Sequence, residues 1–189
     1  PMMLVSYAIV VAERGLWIGP YLADVWGLGA IDRGNVALVM GAAMSLGALA
    51  YGPLEMWLGT AKWVVLAGGI VTAATLGLLA LIPVPNLATA TVLLAVVGAA
   101  GISYAVLLAH ARPFFPEHLL GRGMTFVNFV FIGGAGILQP ISGHYVDTLK
   151  AAGLAPAGVY AHLHLAFAIT LALATAIYVF SSEKERPVR

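Results

Sequence analysis

The chain has 189 residues, of which 61% are hydrophobic and 9% are charged, and it contains no cysteine. An average soluble domain has about 25% charged residues, so 9 basic and 8 acidic side chains cannot form the polar surface of a soluble domain of this length. This composition excludes a water-soluble enzyme, a nucleic-acid-binding protein and a disordered chain. The absence of cysteine excludes disulfides and Cys-ligated metals. We therefore expect a protein that lies in the lipid bilayer.

Uncharged stretches long enough to cross a bilayer follow four of the basic residues. They contain 21, 49, 24 and 32 residues and begin after Arg33, Lys62, Arg122 and Lys150. A spanning helix needs about 20 apolar residues, so the longest stretch holds two spans, divided at the prolines of residues 83–86. Together with the N-terminal segment, this predicts a single all-α, polytopic membrane domain of six transmembrane helices, at about 2–23, 34–54, 63–82, 87–110, 123–146 and 159–180. A β-barrel would show alternating segments of about 10 residues, whereas these apolar runs are continuous.

Basic residues outside the spans are distributed unequally between the two sides of the predicted domain. The side with both termini holds six of them, Lys62, Arg112, Arg122, Lys184, Arg186 and Arg189, and the opposite side holds only Arg33 and Lys150. The positive-inside rule then predicts cytoplasmic termini and a multi-pass protein of the inner, cytoplasmic membrane. The chain opens on Pro1 without the basic region of a signal peptide, which suggests a fragment or a processed chain.

Two connecting segments carry more specific patterns than hydropathy. The segment Gly52-Pro-Leu54-Glu-Met56-Trp57-Leu-Gly59-Thr60-Ala-Lys62 resembles the loop motif of the major facilitator superfamily, Gly-x-Leu-x-Asp-Arg-x-Gly-Arg-x-Lys. Four positions match, namely Gly52, Leu54, Gly59 and Lys62. Three depart from the motif, with Met56 in place of Asp, and Trp57 and Thr60 in place of the two Arg. Such departures resemble the copy of this motif in the C-terminal half of the family.

The second segment runs from Pro116-Glu117 through Gly121-Arg122 and the glycines 133, 134 and 136 to Gly143-His-Tyr-Val-Asp147. It is similar to the family's connection into its eleventh helix. The resemblance covers the whole chain and implies the C-terminal six-helix half of a twelve-helix transporter, built from two inverted three-helix repeats. It also implies secondary active transport of a small solute by alternating access, between this half and a missing N-terminal half, rather than an enzymatic activity. No cofactor is expected.

Arg14 and Glu13 are charged residues about halfway along the first predicted span. A central Arg costs roughly 2.5–3.5 kcal/mol on insertion scales and so requires a reason. Adjacent helical residues point about 100° apart, so the two side chains are expected to have different partners. Both can line the cavity between transporter halves, where Arg14 would bind an anionic metabolite and Glu13 would carry a coupling proton. The alternative is a structural ion pair within the helix bundle.

Further candidate site residues follow from breaks and polar positions within the spans. Pro20 removes a helical hydrogen bond close to Trp17 and Tyr21, and these aromatic residues either line a transport site or belong to the interfacial belt. Asn128 and Gln139 are eleven residues apart, close to three helical turns, and share one face of the fifth span. That face lines the cavity or forms hydrogen bonds between helices. Tyr104 is a further polar position, in the fourth span. The predicted substrate-binding set is therefore Arg14, Glu13, Trp17, Tyr21, Tyr104, Asn128 and Gln139.

Four of the five histidines lie near the ends of the predicted spans, where side chains usually reach the headgroup region. They are His110, His144, His162 and His164, and none has the spacing of a metal ligand with a carboxylate alongside.

Two other function classes fit parts of the pattern. Gly101-Ile-Ser103 is a Gly-x-Ser sequence, which would make Ser103 the nucleophile of an intramembrane serine protease, with His144 or His162 as the base. Tyr104 stands where that motif needs glycine, which disfavours the protease. A non-transporting membrane scaffold or sensor derived from a transporter is the remaining alternative.

Overall fold

A computed structural model describes residues 1–84 and 86–183. Within these residues the chain is helical and has no β-strand, and six helices long and apolar enough to cross a membrane confirm the predicted number of spans. We number these spans first to sixth in chain order: Met2–Trp26, Ala30–Leu58, Ala61–Leu81, Leu87–Phe114, Glu117–Ala151 and Pro156–Tyr178. Pro85 at the predicted break, and the basic tail residues Lys184, Arg186 and Arg189, lie outside the described residues.

The second and fifth spans extend beyond their predicted bounds of 34–54 and 123–146. The second contains 29 residues and the fifth 35, so at 1.5 Å per residue the second alone measures about 44 Å, against about 30 Å of hydrocarbon. Counting uncharged residues finds only the part of a helix in lipid, because charged residues can continue the same helix into the headgroups. The second span ends at Gly59, which adopts a φ of 66° that only glycine reaches without strain. The third span begins directly afterwards, where the Thr60 hydroxyl accepts a hydrogen bond from the Trp63 amide.

Two spans are interrupted within the membrane. The first consists of helix Met2–Ala12, a π-helical turn Glu13–Trp17 and helix Ile18–Trp26. The fourth consists of helix Leu87–Gly101, a break of two residues and helix Tyr104–Ala111, which continues in a short 3₁₀ turn.

The spans pack in three main pairs: the third with the sixth, the first with the fifth, and the second with the fourth. A glycine lies at a close approach in each pair. A Cβ on Gly134 of the fifth span would lie 2.9 Å from the Leu4 carbonyl carbon, and one on Gly98 would lie 2.9 Å from the Met40 carbonyl oxygen. Gly69 of the third span is similarly close to Thr175 of the sixth. Small residues let membrane helices approach until their backbones are in contact, which replaces the hydrophobic driving force that lipid does not supply.

The second and fifth spans are peripheral in this six-helix unit. Only 22% of each apolar window is buried, against 39–56% for the other four spans. Large apolar side chains such as Leu38, Leu49 and Phe129 are exposed on them. The core is formed by the first, third, fourth and sixth spans, and the outer faces are apolar, as lipid or a further helical unit requires.

Candidate functional site

A cavity of about 560 Å³ opens on one face of the unit between the first, second and fourth spans. Its polar wall is formed by Tyr7, Arg14 and Tyr104, and Ala37 and Met44 contribute to the apolar wall. The Tyr7 and Tyr104 rings are in edge contact with centroids 5.0 Å apart, and Phe131 of the fifth span packs against both. The cavity is therefore an aromatic-walled recess, and Arg14 is the one cation among its described lining residues.

Arg14 lies at the centre of the first span and is exposed to this cavity. Its guanidinium rests against the second span at Gly41, where a Cβ would lie 3.4 Å from Arg14 Nη2. Among the described residues, no carboxylate oxygen lies within 4.0 Å of the guanidinium. A mid-membrane arginine without an anionic partner is costly unless water or an anion reaches it, so the cavity is suited to an anionic group.

A π-helical turn lies in the first span where Glu13 and Arg14 have different surroundings. Pro20 has no amide hydrogen to donate to the carbonyl of Leu16, and the wider turn Glu13–Trp17 lies directly before it. Single π-helical turns occur frequently at functional sites. Arg14 points into the cavity, whereas Glu13 points into the interior of the bundle, so the two side chains do have different surroundings, as the helical geometry predicts.

Glu13 is fully buried against His164 of the sixth span. Both side chains are 0% exposed, and Glu13 Oε1 lies 3.2 Å from His164 Nε2. Tyr21 packs its ring edge-on against the imidazole at 5.0 Å. The expected headgroup position is therefore wrong for His164, because the sixth span begins at Pro156 and His164 lies more than two turns inside it. His110 does lie near the end of the fourth span, where it is buried beside Tyr178 and its Nε2 is 3.2 Å from the Ser182 carbonyl oxygen, just beyond the sixth span.

Trp17 and Tyr21 also lie inside the bundle, away from the cavity of Arg14. The Trp17 indole donates to the Ser142 hydroxyl at 3.0 Å, and its ring packs against Tyr160. Tyr21 is 1% exposed and contacts the Trp26 and Tyr160 rings. These two aromatic residues connect the first span to the fifth and sixth.

The remaining predicted site residues are distributed between the cavity and the fifth span. Tyr104 lines the cavity. Asn128 is exposed and Gln139 is half-buried, both on the continuous helix Leu120–Ala151. Tyr7 was not predicted, although a signal was present: it precedes Arg14 by seven residues, which is close to two turns, so the two share one face.

Polar clusters connect different spans at each end of the bundle. At one end, Asp24 accepts hydrogen bonds from Lys150 at 3.0 Å and from the Tyr160 hydroxyl at 2.6 Å, joining the first, fifth and sixth spans. At the other end, the Glu183 carboxylate accepts from the Thr60 hydroxyl at 2.8 Å and from the Ala61 amide at 2.9 Å.

Glu183 is thereby held at the N-terminus of the third span. Burial raises the pKa of its carboxyl in part, but hydrogen bonds from Thr60, Lys62 and Ala61 lower it more in sum, so the pKa lies below its usual value. Lys62, a residue of the loop motif, also donates from Nζ to the Ser181 carbonyl at 2.7 Å. The segment after the sixth span is thus fastened to the start of the third.

Ser103, the alternative nucleophile, is buried where the fourth span meets Gly68 of the third. Within the described part of the chain its hydroxyl has no hydrogen bond to His144 or His162, and the His162 imidazole is hydrogen-bonded to the Gly158 carbonyl instead. The described residues also contain no group of three or more His, Asp or Glu that could hold a metal ion.

No protein-family model matches the chain, and no curated protein or solved structure matches it. The packing of the spans and the geometry of the cavity are therefore the features that bear on function.

Proposed function

We propose that the chain is one six-span half of a secondary transporter, which carries a small anionic solute across the inner membrane by alternating access. The observation that supports this most is the position of Arg14, which lies at mid-membrane in a cavity that opens on one face of the unit. In transporters of this kind the solute binds near the bilayer midplane, between two repeats or halves. A second six-span half would close the open face and complete the site.

The packing of the spans supports two three-helix repeats. In such repeats the first span corresponds to the fourth, the second to the fifth and the third to the sixth. The packed pair of the first and fifth spans therefore corresponds to the packed pair of the fourth and second. The pair formed by the third and sixth maps onto itself. All three are the main pairs of the bundle, which is the pattern expected of inverted repeats within a major facilitator half.

The helix interruptions fall at equivalent positions of these repeats. The first span contains the π-helical turn Glu13–Trp17, and the fourth is broken between Gly101 and Tyr104. Both interrupted spans line the cavity. Interrupted helices in corresponding positions of two repeats are the best structural pointer to a transport site, since irregular backbone is tolerated at membrane depth only beside protein or water.

The chemistry of the cavity favours an anion of small size. Arg14 offers a planar fork of donors that suits a carboxylate or a phosphate, and the Tyr7 and Tyr104 hydroxyls are nearby hydrogen-bonding groups. Six Lys and Arg residues lie at 55–62, at 111–122 and in the C-terminal tail, against two on the opposite side, so we assign both termini to the cytoplasm.

Ligand-induced stabilisation of the full-length protein tests this function. Detergent-solubilised protein is heated with acetate, succinate or inorganic phosphate, and with glycerol as a neutral solute. We expect at least one anion to raise the melting temperature through preferential binding to the folded state. Reconstituted protein should then take up the same anion in labelled form.

Arg14 variants make this test specific. Arg14→Lys retains the charge but loses the fork, so binding should weaken by about 1.5–3 kcal/mol, roughly 10- to 150-fold, and Arg14→Ala should abolish the stabilisation. Arg33→Ala, which removes a partly buried arginine at the start of the second span that does not line the cavity, is the matched control and should bind normally. Undiminished stabilisation of Arg14→Ala, or equal stabilisation by glycerol, would contradict the proposal.

A further inference from the structure

The Glu13–His164 pair is a second ionisable site, separate from the cavity. Glu13 Oε1 and His164 Nε2 are 3.2 Å apart and neither side chain is exposed. Three further buried polar atoms belong to the same cluster and have no hydrogen-bond partner among the described residues: Glu13 Oε2, His164 Nδ1 and the Tyr21 hydroxyl. This interior site therefore has unpartnered polar atoms, whereas the carboxylates of Asp24 and Glu183 at the two ends of the bundle are hydrogen-bonded.

Among the described residues, the surroundings of the pair supply no compensating charge. The titratable groups that face it are Tyr21 of the first span and Tyr160 of the sixth. Beyond Tyr160 lies Asp24, whose charge is already paired with Lys150. Any net charge on the pair would therefore remain uncompensated inside the helix bundle.

The number of protons on the pair fixes its charge. With no proton, Glu13 is a carboxylate and His164 is neutral, so the pair carries one negative charge. With two protons it carries one positive charge, and only with one proton is it neutral as a unit. An isolated charge in a low-dielectric interior is strongly disfavoured, and groups this close titrate as a pair rather than separately.

We propose that Glu13 and His164 form a proton-binding site that holds one proton between Oε1 and Nε2 across the neutral pH range. The proton exchanges only when the packing of the first span against the sixth opens, because both groups are closed to solvent. This inference stands apart from the proposed transport function, since it concerns the interior of the unit and is tested without a substrate.

Single variants of the pair should have stabilities with opposite pH dependences. In His164→Gln the folded protein buries a lone Glu13, which binds a proton more readily than it does in the unfolded chain. The folded state then holds more protons than the unfolded state, so stability falls as pH rises. In Glu13→Gln the lone buried His164 holds its proton less readily than in the unfolded chain, so stability rises with pH.

The measurement is the melting temperature of the full-length protein in detergent between about pH 5 and pH 8, the range in which histidine titrates. Relative to the double variant, which lacks both ionisable groups, we expect a change of about 3–5 °C per pH unit, downward across this range for His164→Gln and, below about pH 6.5, upward for Glu13→Gln. Wild type should match the pH dependence of the double variant at the acid end and lose stability relative to it above about pH 6.5, where the unfolded chain releases the histidine proton that the folded pair keeps. His162→Gln and Glu117→Gln, which alter exposed groups, are the matched controls and should follow the wild type. Slopes of the same sign in the two single variants would overturn the proposal.

Infrared spectroscopy covers the case in which a single variant does not fold. The wild-type spectrum minus that of the double variant isolates the carboxyl and imidazole bands of the pair. We expect this difference spectrum to stay constant between about pH 5 and pH 8. Growth of carboxylate bands with rising pH would mean that the pair loses its proton, and would overturn the proposal as well.

Discussion

Replacing Gly134 by alanine tests the contact between the first and fifth spans. The added Cβ would lie 2.9 Å from the carbonyl carbon of Leu4 and closer still to its oxygen. An ordinary carbon–carbon contact is about 3.5–4.0 Å, so the contact with the carbon alone requires the two helices to separate by at least roughly 0.6–1.1 Å, and the closer oxygen requires more. The obstacle is backbone, which cannot rotate away as a side chain can.

The expected cost follows from this separation. A gap of about 0.5–1 Å forfeits a quarter to a half of the dispersion energy of each contact, and overpacking costs about 1–3 kcal/mol. We take the upper end, about 3 kcal/mol, because the whole helix must move. Alanine stabilises a helix by about 1 kcal/mol relative to glycine, which offsets part of this cost. The net loss is about 2 kcal/mol, or about 4–8 °C in melting temperature for a chain of this size.

Gly133→Ala is the matched control, because it adds the same methyl group to the adjacent residue. A Cβ on Gly133 has no neighbour within 4 Å, so this variant should be neutral or slightly stabilised. Both variants are compared by thermal unfolding in detergent. Equal melting temperatures would refute the packing of the first span against the fifth.

Three further predictions concern the ends of the bundle. Tyr160→Phe removes the hydrogen bond to the partly exposed Asp24 and should cost about 1–2 kcal/mol in thermal unfolding, and an unchanged melting temperature would contradict the contact. The lowered pKa of Glu183 means that its contribution to stability is present above the usual glutamate range, about 4.3, and is lost as pH falls through the lower folded-state value. Hydrogen exchange at the Ala61 and Lys62 amides, which this carboxylate binds, should therefore accelerate in acid. If exchange at these amides is independent of pH after correction for intrinsic rates, the hydrogen bonds to Glu183 are contradicted. Cysteines introduced at Lys62 and Lys150 should react from the cytoplasmic and external sides respectively with an impermeant maleimide, and the reverse pattern would contradict the positive-inside assignment.

The number of spans could be predicted from the sequence because uncharged length is a direct measure of hydrocarbon thickness. The ends of the second span could not, since Pro53 and Glu55 are part of a helix that continues to Leu58. A single proline or charge does not end a helix outside the hydrocarbon.

The site was only partly predictable for a similar reason. The position of Arg14 at mid-span follows from counting residues, and the angle of about 100° between its side chain and that of Glu13 follows from helical periodicity. The partner of Glu13 does not, because His164 is 151 residues away and is brought close only by packing of the first span on the sixth. Periodicity within one helix also cannot reveal a π-helical turn, which shifts every later residue by part of a turn.

The proposed function requires that Arg14 lies in a water-filled cavity, so the most direct test is whether water reaches the middle of the first span. The chain has no cysteine, so a single introduced cysteine reports its own position. Gly15 lines the cavity beside Arg14, whereas Leu173 lies exposed on the sixth span, outside that cavity. In membranes containing the full-length protein, we expect a water-soluble maleimide to modify Gly15→Cys and to leave Leu173→Cys unmodified. Protection of both cysteines would mean that Arg14 faces lipid or protein, and would contradict a water-filled half-site.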